Sequence, residues 1–227
     1  MMPPIALRYA RLVQPLAVVL AAALLAAGCE DPSVRFNQMG QEAYRTGNYT
    51  RARAAFEEAI QRNPDVGEYY FNRGVTEQAL GNFDRAIFNY DMATRLSPGI
   101  VAAYRNAAQC YLEKGRTDRA LAVLETGTLA NPYTAEAFIN VAQFYLARQD
   151  LASTKLWLAK AVAADPDNPV AHREYATILI RTGERDKGIE HLRLSLERAP
   201  VQPEVSATLS ELAPPGDQLP APKPQTE

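Results

Sequence analysis

Asn63-Pro64, Ser97-Pro98, Asn131-Pro132, Asp165-Pro166 and Ala199-Pro200 recur every 34 residues. Midway between them, on the same period, lie Gly47, Gly81, Gly115, Gln149 and Gly183. A fixed period of this length is the signature of stacked supersecondary units and restricts the fold more than any other feature of the chain. Each block reads as two helices. The glycine marks the turn inside the pair. The proline marks the break after it, since it cannot continue a helix and restricts the residue before it. Five blocks follow, 33–66, 67–100, 101–134, 135–168 and 169–202, covering about three quarters of the chain. One helix pair cannot bury its own apolar face, whereas stacked pairs bury a continuous one.

Side-chain size keeps the same phase. Seven residues before each turn stand Gly40, Gly74, Ala108, Ala142 and Ala176; five after it stand Ala52, Ala86, Ala120, Thr154 and Gly188. Small residues there let two helices approach closely. Nine after the turn stand Phe56, Tyr90, Leu124, Leu158 and Leu192, large enough to fill the space between neighbouring pairs. This pattern resembles the tetratricopeptide repeat. The segments GNYTRARAAFEEAIQRNP and GNFDRAIFNYDMATRLSP are similar to the second half of that repeat. The resemblance implies an all-α, right-handed superhelical solenoid of five helix pairs, with a concave groove lined by the first helix of each pair. Residues 203–212, PEVSATLSEL, align with the start of a sixth first helix and are expected to cap the stack. Residues 213–227 hold five prolines and no apolar period, the composition of a disordered tail.

By the same resemblance, the sixth position of each first helix faces the groove, which gives Gln38, Asn72, Asn106, Asn140 and Glu174. Three asparagines at 34-residue intervals make a ladder. A carboxamide carries donors and an acceptor, so it can pair with the N–H and C=O of an extended peptide whatever that peptide's side chains are. The ninth position adds Gln41, Gln109 and Gln143; the fifth adds Asn37, Phe71, Arg105, Ile139 and Arg173. Of Tyr69-Tyr70-Phe71, Phe71 is expected to point to the groove. An amide-rich wall with two arginines suits a neutral or mildly acidic extended segment held through its backbone. The carboxylate clamp of chaperone-binding repeats is excluded, because Val170 and Glu174 stand where it needs basic residues.

The N-terminus reads as an address. Arg8 and Arg11 precede LAVVLAAALLAA, an uncharged run of twelve residues, then Gly28 and Cys29. Twelve residues span roughly 18 Å as a helix, too short for a hydrocarbon core of about 30 Å. Residues 1–28 are therefore expected to be a cleaved signal. Cys29 after Ala26-Ala27-Gly28 resembles a bacterial lipobox, which implies lipidation of its thiol. A tether over residues 29–35 would then hold the 33–202 repeat domain close to the lipid headgroups of the bacterial envelope, outside the cytoplasm.

Removing Arg8 and Arg11 leaves 22 basic against 26 acidic groups in residues 29–227, the wrong balance for a nucleic-acid footprint. Cys110 is expected to be a small buried hydrophobe. His172 is expected to pack in an aromatic slot, with His191 out of phase with it on a second helix, and no metal site follows. The sequence holds no phosphate loop, nucleophile elbow or framed pair of carboxylates, so neither catalysis nor a cofactor is expected. The expected role is a membrane-anchored scaffold that holds a protein or extended peptide, in pilus, secretion or outer-membrane assembly. The alternatives are an adaptor for envelope proteases or peptidoglycan enzymes, or a structural protein that self-associates through exposed repeat ends.

Overall fold

The computed structural model describes residues 31–212, and every described element is helical. The signal segment 1–28, Cys29 and the proline-rich tail 213–227 lie outside the described residues. Five antiparallel pairs stack in chain order: α1 (Pro32–Arg45) with α2 (Tyr49–Arg62), α3 (Gly67–Ala79) with α4 (Phe83–Leu96), α5 (Val101–Glu113) with α6 (Thr117–Ala130), α7 (Ala135–Leu146) with α8 (Leu151–Ala164), and α9 (Pro169–Arg181) with α10 (Arg185–Arg198). A final helix, α11 (Pro203–Leu212), packs on α10. Each second helix also packs on the next first helix, which joins the pairs into one solenoid.

The turn within each pair has one physical design. Gly47, Gly81, Gly115 and Gly183 all have φ between 68° and 86°. The residue after each closes a hydrogen bond five residues back, as in Asn48 N–H to Ala43 C=O at 2.8 Å and Asn82 N–H to Glu77 C=O at 2.8 Å. This is the Schellman ending, which needs a left-handed residue and so favours glycine. Repeat 4 builds the same turn on Gln149 at φ 62°, among the described residues the sole non-glycine with positive φ. Asp150 then caps α8, its carboxylate accepting from the Ser153 N–H at 2.9 Å.

The size pattern also has a structural cause. A Cβ added to Gly40 would meet the Phe56 ring at 2.5–2.8 Å, and one added to Gly74 would meet the Tyr90 ring from 2.7 Å. Repeats 1 and 2 thus pair glycine with an aromatic ring, whereas repeats 3 to 5 pair alanine with leucine. All five large residues are buried.

Both ends of the stack are finished with polar surface. On α1, exposed Arg35 and Glu42 hold the two register positions that inner repeats bury, as Tyr69, Ala103, Ala137 and Ala171 and as Thr76, Cys110, Phe144 and Ile178. At the other end, Val205 and Leu209 of α11 cover Ala176, Ile189 and Leu192. Each buried side chain of that kind contributes about 1.5–3 kcal/mol. Glu204, Thr208 and Glu211 of α11 remain in solvent. Polar terminal units are what keeps a solenoid soluble.

The expected tether is corrected by the start of α1. Asp31 caps the helix, its carboxylate accepting from the Ser33 N–H at 2.9 Å, and Pro32 occupies the first turn. Residues 32–35 are therefore helical rather than extended. The first packing residue is Ser33, fully buried and sharing a 3.1 Å hydrogen bond with the Tyr69 hydroxyl. The Asp-Pro pair is itself a helix-start signal. No helix among the described residues is long and apolar enough to cross a membrane.

Candidate functional site

Successive first helices α1, α3, α5, α7 and α9 touch one another along one wall of the solenoid. The sixth-position residues stand on it at the same register, but the three asparagines are not equivalent. Asn72 donates to the Asn37 carboxamide oxygen at 2.9 Å, and Asn37 is buried. Asn106 reaches the Tyr90 hydroxyl at a long 3.5 Å, while that hydroxyl donates to Gln78 at 2.7 Å. Burial holds the Tyr90 phenol far above its usual range. Asn140 is only 6% exposed, and its side chain forms no hydrogen bond with a described residue. Among the described residues no fully enclosed side-chain nitrogen or oxygen lacks a partner, so the Asn140 amide keeps a window to solvent. A nearly buried carboxamide with unspent donors and acceptor is poised for an external backbone.

The charges of the wall are mostly spoken for. Arg105 on α5 pairs with Glu136 on α7 at 2.8 Å, bridging repeats 3 and 4. Arg173 lies 3.5 Å from the neighbouring Glu174 carboxylate. Gln109 donates to Glu113 at 2.7 Å, and Gln41 reaches Glu68 at 3.4 Å. Gln143 is exposed and its side chain is unbonded. The wall is thus close to neutral, not basic as two arginines alone suggest. Glu174 is among the expected groove positions, but sequence reasoning missed Glu68 and Glu136, although these two share one repeat position two periods apart.

Three expected groove residues are placed differently. Phe71 is half-buried, packed on the core with its ring 6.0 Å from that of Tyr90, so it presents little free surface to the wall. Gln38 lines an open cleft of about 500 Å³ at the free N-terminal end, with Arg35, Met39 and Glu42. Ile139 is buried. A cleft of about 510 Å³, between α2, α3 and α4, is lined by Arg53, Arg73, Glu77 and Phe88 and holds none of the ladder residues.

The histidines overturn their expected separation. His172 on α9 and His191 on α10 face each other with their Nδ1 atoms 2.8 Å apart, because the antiparallel pair sets them opposite across its turn. No group of three or more His, Cys, Asp or Glu residues that could hold a metal occurs among the described residues. Cys110 is fully buried, and burial pushes its thiol up to about 11.

Family models of the tetratricopeptide repeat match residues 37–99, 77–143 and 145–212. The chain belongs to the tetratricopeptide repeat family. As such it is a protein-binding scaffold, built on a fold whose general use is protein interaction rather than catalysis. No curated protein matches its sequence. Among solved structures it is similar to Pseudomonas aeruginosa pilF, with TM-score 0.58 and 17% identity over 81% of this chain and 85% of that one. It is also similar to PilW, described as a widely conserved type IV pilus biogenesis factor, with TM-score 0.55 and 19% identity over 81% and 86%. TTC0263, a thermophilic tetratricopeptide repeat protein of Thermus thermophilus, gives TM-score 0.54 and 21% identity over 79% and 98%.

Proposed function

We propose that this protein is a lipid-anchored adaptor of the bacterial cell envelope that holds an extended segment of a partner on the inner wall of its repeats. The observation that carries the groove reading is Asn140, nearly buried, unpaired and open to solvent on one side. A backbone amide that bonded it would satisfy both of its hydrogen-bonding atoms without reference to side-chain identity. The neutral wall around it suits a segment of low charge. Arg105 and Arg173 are already beside acids, so they would favour an acidic ligand less than free arginines would.

The anchor reading rests on Cys29. Only Glu30 stands between that thiol and Asp31, the cap of α1. A diacylated cysteine there would hold the first repeat at the headgroups and raise the local concentration for a partner in or near the membrane. The fold likeness to PilW, described as a type IV pilus biogenesis factor, favours pilus or secretion assembly as the setting. The self-association reading is weakened by Arg35 and Glu42 at one end and Glu204, Thr208 and Glu211 at the other, which leave Met39 and Val34 as scattered apolar exposure on α1.

The test is in-membrane cross-linking and affinity purification of wild type, Asn140→Ala, and Asn72→Ala/Asn106→Ala/Asn140→Ala, with circular dichroism to confirm folding. Loss of a specific partner in both folded variants is expected. Retention of the same partners in both would refute the inner wall as the binding surface. Separately, incorporation of labelled palmitate should disappear in Cys29→Ser.

A further inference from the structure

The chain has two histidines, and they form one buried pair. His172 is 4% exposed. Its Nε2 lies 2.9 Å from the Pro166 carbonyl, which can only accept, so Nε2 carries a proton. Its other nitrogen, Nδ1, meets His191 Nδ1 at 2.8 Å. One hydrogen fits between those two nitrogens. In the neutral pair His191 supplies it and His172 accepts. A first added proton has a place on His191 Nε2. A second has none, since it would set two N–H groups head-on at 2.8 Å. The rings are also stacked, 5.1 Å apart, with Tyr175 edge-on to His191 at 4.8 Å.

The surroundings do little to relieve a charge there. Burial, then the neighbouring His172, hold His191 below the ordinary imidazole range, opposed by Glu190 on its own helix. Arg173 and Glu174 on α9 lie beside each other. On α8, Lys155 pairs with Glu184 and Lys160 lies over the Trp157 ring. In the α8–α9 loop, Asp165 accepts from Asn168 and Asp167 pairs with Arg198. Glu204 and Glu211 of α11 are in solvent.

We infer that His172 and His191 form an acid-sensitive latch: the folded pair takes up at most one of the two protons that separated imidazoles accept, so acidification opens α9 from α10 and loosens the α11 cap. The pair bridges the Pro166 loop, α9 and α10, and α11 rests on the same hydrophobic cluster as α9 and α10. An opened α9 would also withdraw Arg173 from the inner wall and release a ligand held there. That consequence rests on the groove reading above; the opening does not.

Excluding one proton from a group that titrates near 6.5 when free raises the opening equilibrium about 25-fold between pH 7 and pH 5, and the depressed His191 adds to that. The test is hydrogen exchange of the unliganded protein at both pH values, corrected for intrinsic rates. Protection in α9–α11 should fall by roughly 25-fold or more, with α1–α6 unchanged. His172→Gln/His191→Gln keeps a donor for Pro166 and an amide-to-amide bond but cannot titrate, so its protection should not change. Unchanged protection in wild type, or the same fall in the double variant, would overturn the latch. Should the double variant fail to fold, imidazole ¹⁵N spectra of wild type decide. Loss of native α9–α11 signals before both rings are charged supports the latch, and two charged rings with those signals intact overturns it.

Discussion

Adding one methyl group at Gly40 should reverse its effect on stability according to the residue at position 56. In a helix interior, Gly→Ala ordinarily stabilises by about 0.8–1.0 kcal/mol. Here the new Cβ would lie 2.5, 2.6 and 2.8 Å from three atoms of the Phe56 ring. That ring is 1% exposed and has nowhere to turn. Overpacking of this kind costs about 1–3 kcal/mol, so Gly40→Ala should be neutral to destabilising by up to ~2 kcal/mol. Phe56→Leu alone should cost ~1–2 kcal/mol through the space it leaves. With Leu at 56, Gly40→Ala recreates the alanine–leucine pairing of repeats 3 to 5 and should stabilise by about 1 kcal/mol. The two changes should therefore couple by ~1–3 kcal/mol, well beyond the ~0.5 kcal/mol scatter of independent sites. Urea unfolding of the four proteins, read by circular dichroism, closes the cycle. A stabilising Gly40→Ala in the Phe56 background, or additive effects, would refute the argument that ring size dictates glycine there.

Gln149 holds a left-handed backbone that costs a non-glycine residue about 1–2 kcal/mol, partly offset by the greater freedom of glycine in the unfolded chain. Gln149→Gly should raise stability by ~0.5–1 kcal/mol, measured by urea unfolding; destabilisation would mean that the Gln149 side chain makes an unrecognised contribution. Lys155 and then Lys187 hold the Glu184 carboxyl down at about 2. A depressed carboxylate stabilises above its ordinary value of 4.5 and loses that contribution as pH falls toward 2, so Lys155→Met should flatten the acid limb of a pH–stability curve in that window. Cys110 should resist maleimide at pH 8 in the folded protein and react within minutes in 6 M guanidinium, mapped by mass spectrometry; equal labelling in both states would contradict its burial.

The proline breaks and the mid-block turns, four on glycine and one on Gln149 in the same phase, suffice to place all five pairs, because they act through local backbone geometry that repeats whenever the residues repeat. The cap at 203–212 is readable for the same reason, from two apolar residues in register with earlier first helices. The tether reading fails at Pro32. Asp31-Pro32 carries a helix-start signal, and a tether drawn through residue 35 passes over it. The inner wall is legible as a set of positions and illegible as chemistry. Nothing in a 34-residue period tells that Asn72 is spent on Asn37 while Asn140 is unspent, or that Arg105 finds Glu136 on the next repeat.

Period, helix boundaries and the alternation of small and large residues belong to the sequence alone, since each is set by neighbours a few residues away or by one spacing repeated five times. Only the tertiary structure decided which amide is free, that the wall is neutral, and that His172 meets His191 at 2.8 Å. Those depend on side-chain rotamers and on how closely two helices approach, and no residue pattern along the chain encodes a distance across it.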